Sequence, residues 1–289
     1  MKGILLAGGL GVRLYPSTKV LSKQLIPVYD KPMVYYSLSI LMLADITEIL
    51  VITTAEHYYL YKSLLGDGSQ LGLKLQYLQQ EKPRGLAEAF ILGEKFIGKS
   101  DVCLTLGDNI LHGNGLSNLL AKSKKIVSKN KKAMIFGYEV EKPENYGVAF
   151  LDDNDNLLDI IEKPKNPKSN VAVIGIYMYP NNVIQLAKNI KPSKRGELEI
   201  TSINNLYLKS KKINIEIFGR GFTWFDTGTY ESILEASNLI KLIEKRSGSK
   251  ISCLEEIAFN KKFIDKKALD EIIDNLRDCS YKEYLKKIY

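Results

Sequence analysis

Residues 3–14 read GILLAGGLGVRL, a short apolar stretch that runs directly into a glycine-rich turn. A turn of this kind lets backbone N–H groups approach a phosphate closely, because glycine has no side chain to block the approach. Arg13 in the turn and Lys23 behind it add positive charge where a polyphosphate carries negative charge. A tight turn without a function would not require these two cations. The stretch therefore predicts an α/β fold and an enzyme that handles a nucleoside triphosphate.

The spacing of the glycines excludes two common phosphate-binding motifs. A dinucleotide fingerprint, G-x-G-x-x-G, could begin at Gly9 and Gly11, but Leu14 occupies its third position. Pro16 then interrupts the helix that should follow. A P-loop requires Gly-Lys-Ser or Gly-Lys-Thr after its glycines, and neither tripeptide follows this turn.

The composition restricts the class of protein. The chain has 289 residues and is 45% hydrophobic, which suits one large domain or one domain with an appendage. No apolar run reaches the roughly 18 residues of a membrane span, and no signal-peptide pattern precedes the first strand. We therefore expect a cytoplasmic protein without a membrane partner. With three cysteines and two histidines, any metal must be held mainly by oxygen ligands, which favours magnesium.

The net charge of +8 raises the possibility of nucleic-acid binding. The lysines are spread over predicted helix faces and turns, however, and no zinc finger or RNA-recognition signature is present. We interpret the excess charge as a solvated surface that attracts small anionic substrates. No nucleic-acid partner is expected.

Strand and helix patterns alternate through the first half of the chain and then give way to a hairpin and further elements. Strands are predicted at 2–7, 48–53, 73–78, 101–106, 133–140, 147–151, 157–162, 171–178, 213–218 and 222–225. Helices are predicted at 32–43, 55–65, 85–96, 115–129, 181–189, 198–209 and from residue 230 onward, with a break near 247–249. This alternation predicts a mostly parallel, mixed sheet flanked by helices.

Ligands of such sheets bind beyond the carboxyl ends of the strands, where two predicted strands end in carboxylates. Asp108 follows strand 101–106, and Asp226 follows strand 222–225. Together they could hold a magnesium ion, although each could instead cap the next turn or helix. Glu162 and Lys163 at another strand end could bind a sugar phosphate, or could form an exposed charge pair. Gly147 offers close backbone approach to a ligand or marks a simple bulge.

Several further stretches accompany the first turn and Lys23. They are SKQLIPVYDKP at 22–32, LGDGS at 65–69, GLA at 85–87, LGDN at 106–109, YGV at 146–148, EKP at 162–164, RGELEIT at 195–201 and residues 219–229. With these motifs the chain resembles the sugar-phosphate nucleotidylyltransferases from Met1 to its C-terminal helices. The resemblance implies a Rossmann-like nucleotidyltransferase core at 1–240 and a C-terminal helical extension at 241–289. The nucleotide-binding half would span about 1–110, and the sugar-phosphate-binding half about 111–240.

The resemblance further implies that the enzyme joins dTTP to glucose 1-phosphate with the help of Mg²⁺, releasing pyrophosphate and giving dTDP-glucose. This would be the first step of dTDP-rhamnose-type deoxysugar synthesis, and a homotetramer is expected. Carried over residue by residue, Arg13 and Lys23 would be catalytic, while Asp108 and Asp226 would hold the metal. The nucleotide would be bound by Leu6, Gly8, Gly9, Gly11, Gln80, Pro83, Gly85 and Asp108. The sugar phosphate would be bound by Gly147, Glu162, Lys163, Val173 and Trp224.

The sequence departs from the family pattern at three positions. Leu10 and Val12 stand where the family often has Ser or Thr, and Arg84 stands where an acidic residue is common. Arg84 adjoins the expected base pocket and bears on nucleotide preference. Uridylyl or cytidylyl transfer to the same sugar phosphate, and a nucleotide-sugar sensor without turnover, therefore remain open alternatives.

Overall fold

The predicted first strand, Lys2–Ala7, lies inside a nine-stranded mixed sheet, between two parallel neighbours. The computed structural model describes residues 1–289. Its strands are β1 (Lys2–Ala7), β2 (Pro27–Val28), β3 (Lys31–Pro32), β4 (Glu48–Thr54), β5 (Lys74–Gln80), β6 (Val102–Leu106), β7 (Asn109–Gly113), β8 (Ala133–Glu139), β9 (Gly147–Leu151), β10 (Leu157–Glu162), β11 (Val171–Tyr179), β12 (Ile213–Phe218) and β13 (Phe222–Asp226).

The helices lie between these strands and after the last one. They are α1 (Met33–Leu43), α2 (Tyr58–Leu65), α3 (Glu88–Leu92), α4 (Glu94–Ile97), α5 (Leu116–Asn130), α6 (Val183–Asn189), α7 (Ile200–Lys209), α8 (Tyr230–Ser247), α9 (Leu254–Asn260), α10 (Lys266–Asn275) and α11 (Ser280–Ile288). None of them is both long and apolar enough to span a bilayer.

The sheet combines a parallel part with strands of the opposite direction. Strands β5, β4, β1 and β6 are parallel neighbours, in that order. Strand β11 is antiparallel to β6, β8 and β9, and β12 pairs in parallel with β8. The mixed sheet with flanking helices confirms the predicted fold class, and the carboxyl ends of β1 and β6 lie side by side.

Strand β1 is apolar from Ile4 to Ala7 because both of its faces are covered there. Ile4 and Leu5 are fully buried, and because successive side chains alternate between faces they belong to two different hydrophobic clusters. Leu5 packs in the cluster that contains residues of α1 and α5, whereas Ile4 packs in the cluster that contains residues of α3, α6 and α7. Burial on two faces is why this strand reads as a continuous apolar run.

Two elements near the candidate site differ from the sequence prediction, and the two-residue strands β2 and β3 are also absent from it. The helix predicted at 85–96 begins only at Glu88, because Arg84 O and Ala87 N are paired with the backbone of Leu198. It is also interrupted at Gly93. Strand β7 was not predicted, and it forms a two-stranded antiparallel ribbon with β13.

The C-terminal helices form the expected extension. Helix α9 packs against α1, and Cys253, Leu269, Ile273 and Leu285 form a small separate core. Helix α8 continues across the predicted boundary at residues 240 and 241 and ends at Gly248, which has a left-handed conformation. The division into two units at this boundary stays a prediction.

Candidate active site

Strand ends from both halves of the chain meet at one cleft with a volume of about 250 Å³. It contains eight of the residues proposed from sequence, namely Arg13, Asp108, Gly147, Glu162, Lys163, Val173, Trp224 and Asp226. The β7–β13 ribbon brings Asp226 opposite Asn109, and therefore next to Asp108. The long-range pairing of two strands thus unites two carboxylates that are far apart in sequence.

Lys23 lies between these two carboxylates. Its Nζ donates to Asp108 Oδ2 at 2.6 Å and lies 3.9 Å from Asp226 Oδ1. The Lys23 side chain is only 7% exposed, whereas the two carboxylates are 22% and 23% exposed to the cleft. A buried ammonium that contacts two carboxylates is fixed in position, because each carboxylate restricts where it can lie.

The two carboxylates differ in their acidity. Burial alone would raise the pKa of Asp108, but the charge and hydrogen bond of Lys23 and a hydrogen bond from Asn109 hold it below its usual range. Burial and the negative charge of Asp108 raise the pKa of Asp226, because the nearby cations only partly offset them. Two carboxylates that share one site in this way favour a further cation between them.

The structure excludes the helix-capping interpretation of Asp226. Helix α8 is capped by Thr229, which forms a reciprocal capping box with Ser232. Asp226 therefore does not cap this helix, and its carboxylate is directed into the cleft. The carboxylate of Asp108 is bound by the side chains of Lys23 and Asn109.

Asn109 joins the carboxylate pair to the opposite wall of the cleft. Its Nδ2 donates to Asp108 Oδ1 at 3.0 Å, while its Oδ1 accepts from Trp224 Nε1 at 2.7 Å and from Gly175 N at 3.0 Å. Asn109 is 3% exposed and Trp224 is 7% exposed. Because every hydrogen bond of this amide is directed to a different element, its orientation is fixed, and it positions Asp108.

Arg13 lies against the turn that follows β13. A Cβ atom on Gly228 would stand 2.3 Å from Arg13 Nη2, so this close packing depends on a glycine. The guanidinium lies near Asp226, whose pKa it helps to lower. Gly11, two residues earlier, has φ of +60° and accepts a hydrogen bond from Thr18 Oγ1. The turn thus presents Arg13 at the edge of the cleft.

The predicted nucleotide-binding residues lie at the ends of β1, β5 and β6. Of these residues only Asp108 lines the cleft. The others lie outside the lining and are Leu6, Gly8, Gly9, Gly11, Gln80, Pro83 and Gly85. Gln80 is 4% exposed, and its Oε1 would be 2.7 Å from a Cβ atom on Gly8. Gly85 has φ of +109°, and a Cβ there would collide with the backbone of Leu198. The structure therefore places Gln80 directly beside the first glycine turn.

The predicted sugar-phosphate residues form the other wall. Gly147 pairs regularly with Glu162 and with Val173, so it does not form the bulge considered as an alternative. Glu162 Oε2 accepts a hydrogen bond from Thr201 Oγ1 at 2.6 Å. Lys163 has φ of +43°, and its N–H donates to Tyr146 O at 2.9 Å. Glu162 is thus a fixed acceptor inside the cleft and not an exposed strand-end charge.

Arg195, to which the sequence assigns no role, also lines the cleft. Arg195 Nη1 lies 3.6 Å from Glu162 and 3.4 Å from Glu199, and Nη2 lies 3.1 Å from Glu197. Burial and two neighbouring carboxylates raise the pKa of Glu199 despite a hydrogen bond from Ser193. The alternating charges of RGELEIT were the available signal, but nothing in that pattern shows that Arg195 reaches Glu162.

The departures at Leu10 and Val12 lie on the outer side of the turn. Their exposed fractions are 62% and 75%, so neither side chain is needed for the core. Besides Arg13, the groups of this turn that can bind phosphate are therefore its backbone N–H groups.

The carboxylate pair fits a magnesium ion. Mg²⁺ is commonly bound by one or two carboxylates together with substrate phosphates and water, and not by a complete protein cage. Asp108 and Asp226 supply two such carboxylates, which lie close enough together for both to contact the Lys23 ammonium. No group of three or more His, Cys, Asp or Glu residues that could hold a metal is present. The residues suit a metal that arrives with a phosphorylated substrate.

Comparison with known proteins decides the family. The family model of the nucleotidyl transferases matches residues 2–242. The chain belongs to this family. It is therefore a nucleotidyltransferase, and all residues that line the cleft lie within the matched region.

Curated relatives match over nearly the whole chain. A glucose-1-phosphate thymidylyltransferase from Neisseria gonorrhoeae is 50% identical over 285 residues, which cover 99% of this chain and 98% of the relative. A glucose-1-phosphate thymidylyltransferase from Mycobacterium tuberculosis is 45% identical over 285 residues, covering 99% of this chain and 98% of that protein.

Solved structures share the fold. A structure from Bacillus anthracis assigned as a glucose-1-phosphate thymidylyltransferase, in complex with a sucrose, has 41% identity and a TM-score of 0.76. The alignment covers 83% of this chain and 94% of that chain. A UDP-glucose pyrophosphorylase complexed with UDP-glucose has 26% identity and a TM-score of 0.73, covering 84% and 98% of the two chains.

Proposed function

We propose that this chain transfers a deoxythymidylyl group from dTTP to α-D-glucose 1-phosphate, with release of pyrophosphate and formation of dTDP-glucose. The observation that carries the proposal is the position of Lys23, which contacts both Asp108 and Asp226. These two carboxylates lie in the cleft between the glycine-rich turn and the wall that contains Gly147 and Glu162. Full-length similarity to glucose-1-phosphate thymidylyltransferases supports the choice of substrates.

The reaction is an in-line displacement at the α-phosphorus. An oxygen of the sugar phosphate forms the new bond to phosphorus, and the bond from phosphorus to the pyrophosphate oxygen breaks on the opposite side. The attacking phosphate is already ionised, so little proton transfer is required. Positioning and charge stabilisation therefore supply most of the rate enhancement.

Four charged groups have roles in this displacement. Arg13 binds the leaving pyrophosphate at the edge of the cleft, and Lys23 neutralises charge that develops at the α-phosphate. Lys163 orients the sugar phosphate on the opposite wall. Asp108 and Asp226 would hold Mg²⁺, which supplies positive charge to the phosphate oxygens when it is bound.

On the sugar side, Glu162 accepts hydrogen bonds from sugar hydroxyl groups and is fixed for that purpose by Thr201. The backbone of Gly147 and Val173 lies beside it in the sheet, where no side chain from Gly147 intervenes. Trp224 closes this end of the cleft. The arrangement suits a hexose whose hydroxyl groups need fixed acceptors.

The test is pyrophosphate release with glucose 1-phosphate and Mg²⁺, comparing dTTP, UTP, CTP and ATP. Fastest turnover with dTTP supports the proposal. Faster turnover with UTP or CTP retains the mechanism and replaces the base. The absence of release with all four triphosphates would contradict nucleotidylyl transfer and favour a sensor.

Three further parts of the proposal come from the family resemblance alone. They are a role of dTDP-glucose in dTDP-rhamnose-type deoxysugar synthesis, a cytoplasmic location and a homotetramer. Light scattering after size-exclusion chromatography tests the tetramer, since a 32.6-kDa chain gives a mass of about four times that value only if four copies associate.

A further inference from the structure

A buried carboxylate that the reaction scheme does not use lies behind the expected base pocket. Glu88, the first residue of α3, is 2% exposed. Its Oε2 accepts from Gln80 Nε2 at 2.7 Å and from Arg84 N at 3.1 Å. Its Oε1 accepts from Arg84 Nε and lies near Arg84 Nη2, both at 2.6 Å. Glu88 thus joins the two residues on either side of the base pocket.

The carboxylate determines which way the Gln80 amide faces. An ionised carboxylate can only accept hydrogen bonds, so it binds the NH₂ group of an amide and repels the carbonyl oxygen. Turning the Gln80 amide over would place Oε1 against Glu88 Oε2 and would leave a buried donor without its partner, both of which are unfavourable. The interaction with Glu88 therefore keeps Nε2 on the protein side.

Gln80 Oε1 consequently faces the nucleotide-binding turn. A Cβ atom on Gly8 would stand 2.7 Å from this oxygen, so the oxygen and the glycine are in close contact. Gly8 is the first glycine after β1, where the proposed nucleotide enters. An amide at this position presents a hydrogen-bond acceptor, and not a donor, to the base.

We propose that Glu88 is a positioning residue for base specificity, which fixes Gln80 so that the pocket accepts pyrimidines carrying an N3–H donor and rejects cytosine. The inference rests on the proposed function. Thymine and uracil have a hydrogen on N3, whereas N3 of cytosine is itself an acceptor. A buried acceptor discriminates strongly against a base that offers a second acceptor, because neither group is then satisfied.

Arg84 supplies the counter-charge for Glu88. A carboxylate buried to this extent is costly unless it is paired and hydrogen-bonded. The Arg84 side chain is 70% exposed, so its charge lies at the protein surface while its inner N–H groups hold the carboxylate. Arg84, which is atypical of the family at this position, therefore pairs with Glu88. The base contacts the amide of Gln80 and not the guanidinium of Arg84.

The backbone around Arg84 is also held in place. Arg84 O accepts from Leu198 N at 2.7 Å, and Ala87 N donates to Leu198 O at 3.1 Å. Gly85 between them has φ of +109°. Because these hydrogen bonds fix the segment before α3 to the sugar-side half, the position of Glu88 is fixed as well. The orientation that Glu88 imposes on the Gln80 amide is therefore also fixed.

The test compares kcat/KM for dTTP, UTP and dCTP, with glucose 1-phosphate as the second substrate, in the wild-type protein and in Glu88→Leu. We expect the dTTP-to-dCTP ratio to fall about tenfold or more in Glu88→Leu, because the amide can then turn over. The change should lie mainly in KM for dCTP. Glu88→Gln keeps an acceptor for Gln80 Nε2 but can also donate, so the ratio should fall only about threefold.

The control is Glu94→Gln, which neutralises a carboxylate on the adjacent helix that pairs with Lys188 and not with the pocket. It should leave the ratio unchanged. A purely structural role of Glu88 would lower turnover with all three triphosphates by the same factor. Where Glu88→Leu fails to fold, Arg84→Met removes the exposed counter-charge and should lower the ratio about threefold.

Two outcomes separate this inference from the proposed function. A wild-type protein that releases no pyrophosphate from dTTP contradicts the function itself. The role of Glu88 alone is overturned by a different result: the wild-type protein is active with dTTP, and the dTTP-to-dCTP ratio of kcat/KM changes in Gln80→Leu but not in the Glu88 or Arg84 variants.

Discussion

Replacement of Lys23 by methionine removes the cation between the two carboxylates while keeping the length of the side chain. In the structure, Lys23 Nζ is 2.6 Å from Asp108 and 3.9 Å from Asp226, and the lysine side chain is only 7% exposed. The variant therefore leaves two partly buried carboxylates facing one another without their shared partner. We expect both kcat/KM and the free energy of unfolding to fall, for separate physical reasons.

The loss of activity follows from lost charge stabilisation. Removing one preorganised charged contact to a transition state costs about 3 kcal/mol, which corresponds to roughly a hundredfold in kcat/KM. The loss of stability at neutral pH should be about 3 kcal/mol, as is typical when one partner of a buried ion pair is removed.

The sign of the pH dependence follows from Asp108, whose folded-state pKa is lowered chiefly by Lys23 against the effect of burial. Its stabilising contribution is fully present above the unfolded pKa of about 3.9 and is lost as the pH falls through the lower folded value. The difference in free energy of unfolding between wild type and Lys23→Met should therefore be largest near pH 7 and shrink below about pH 4.

Urea unfolding at several pH values and pyrophosphate-release kinetics measure both effects. Lys19→Met is the matched control, because Lys19 is an exposed lysine on the same connection. Mg²⁺ should raise the melting temperature of Lys23→Met more than that of the wild type. A kcat/KM within threefold of wild type would refute the assignment of Lys23, and a stability difference that grows in acid would refute the electrostatic argument.

Three further changes test other parts of the structure. Asn109→Ala removes the hydrogen bond to Asp108 and the partner of Trp224; the Mg²⁺ concentration for half-maximal activity should rise about tenfold, and an unchanged Mg²⁺ titration would contradict its positioning role. Gly85→Ala places a Cβ 2.5 Å from Leu198 O at φ of +109°, so the free energy of unfolding should fall by about 2 kcal/mol or more, whereas an unaltered urea midpoint would show that the segment can adapt. The carboxylate of Asp30 is partly buried, which raises its pKa, but hydrogen bonds from Lys250 and Lys31 lower the pKa below the usual range; Asp30→Asn should cost about 1 kcal/mol above about pH 4 and progressively less as the pH falls through the folded pKa, and a pH-independent cost would argue against these ion pairs.

Elements with strong local patterns could be predicted from the sequence. Strand 2–7 was recognised because its residues are apolar on both faces, and Asp108 was recognised because it ends such a strand. Strand β7 escaped prediction because its sequence, NILHG, is short and its partner β13 lies more than a hundred residues later. The sequence predicts β13 itself, but nothing in it indicates a partner at such a separation.

The candidate site was predictable to the extent that it lies at strand ends. Arg13 and Asp108 follow the neighbouring strands β1 and β6, so topology alone brings them to one edge of the sheet. Asp226 reaches that edge only through the pairing of β13 with β7. The contact between Arg195 and Glu162 depends on how a loop before α7 folds over the sheet. Glu88 was read as part of an ordinary helix, because only the tertiary structure shows that its carboxylate meets Gln80.

The most direct test of nucleotidylyl transfer follows the α-phosphorus itself. The protein is incubated with dTTP labelled at that phosphorus, glucose 1-phosphate and Mg²⁺, and the products are separated by chromatography. The account predicts that the label moves into dTDP-glucose, with one pyrophosphate released for each label transferred. Label that remains in dTTP, or that appears in dTMP without a nucleotide sugar, would contradict it.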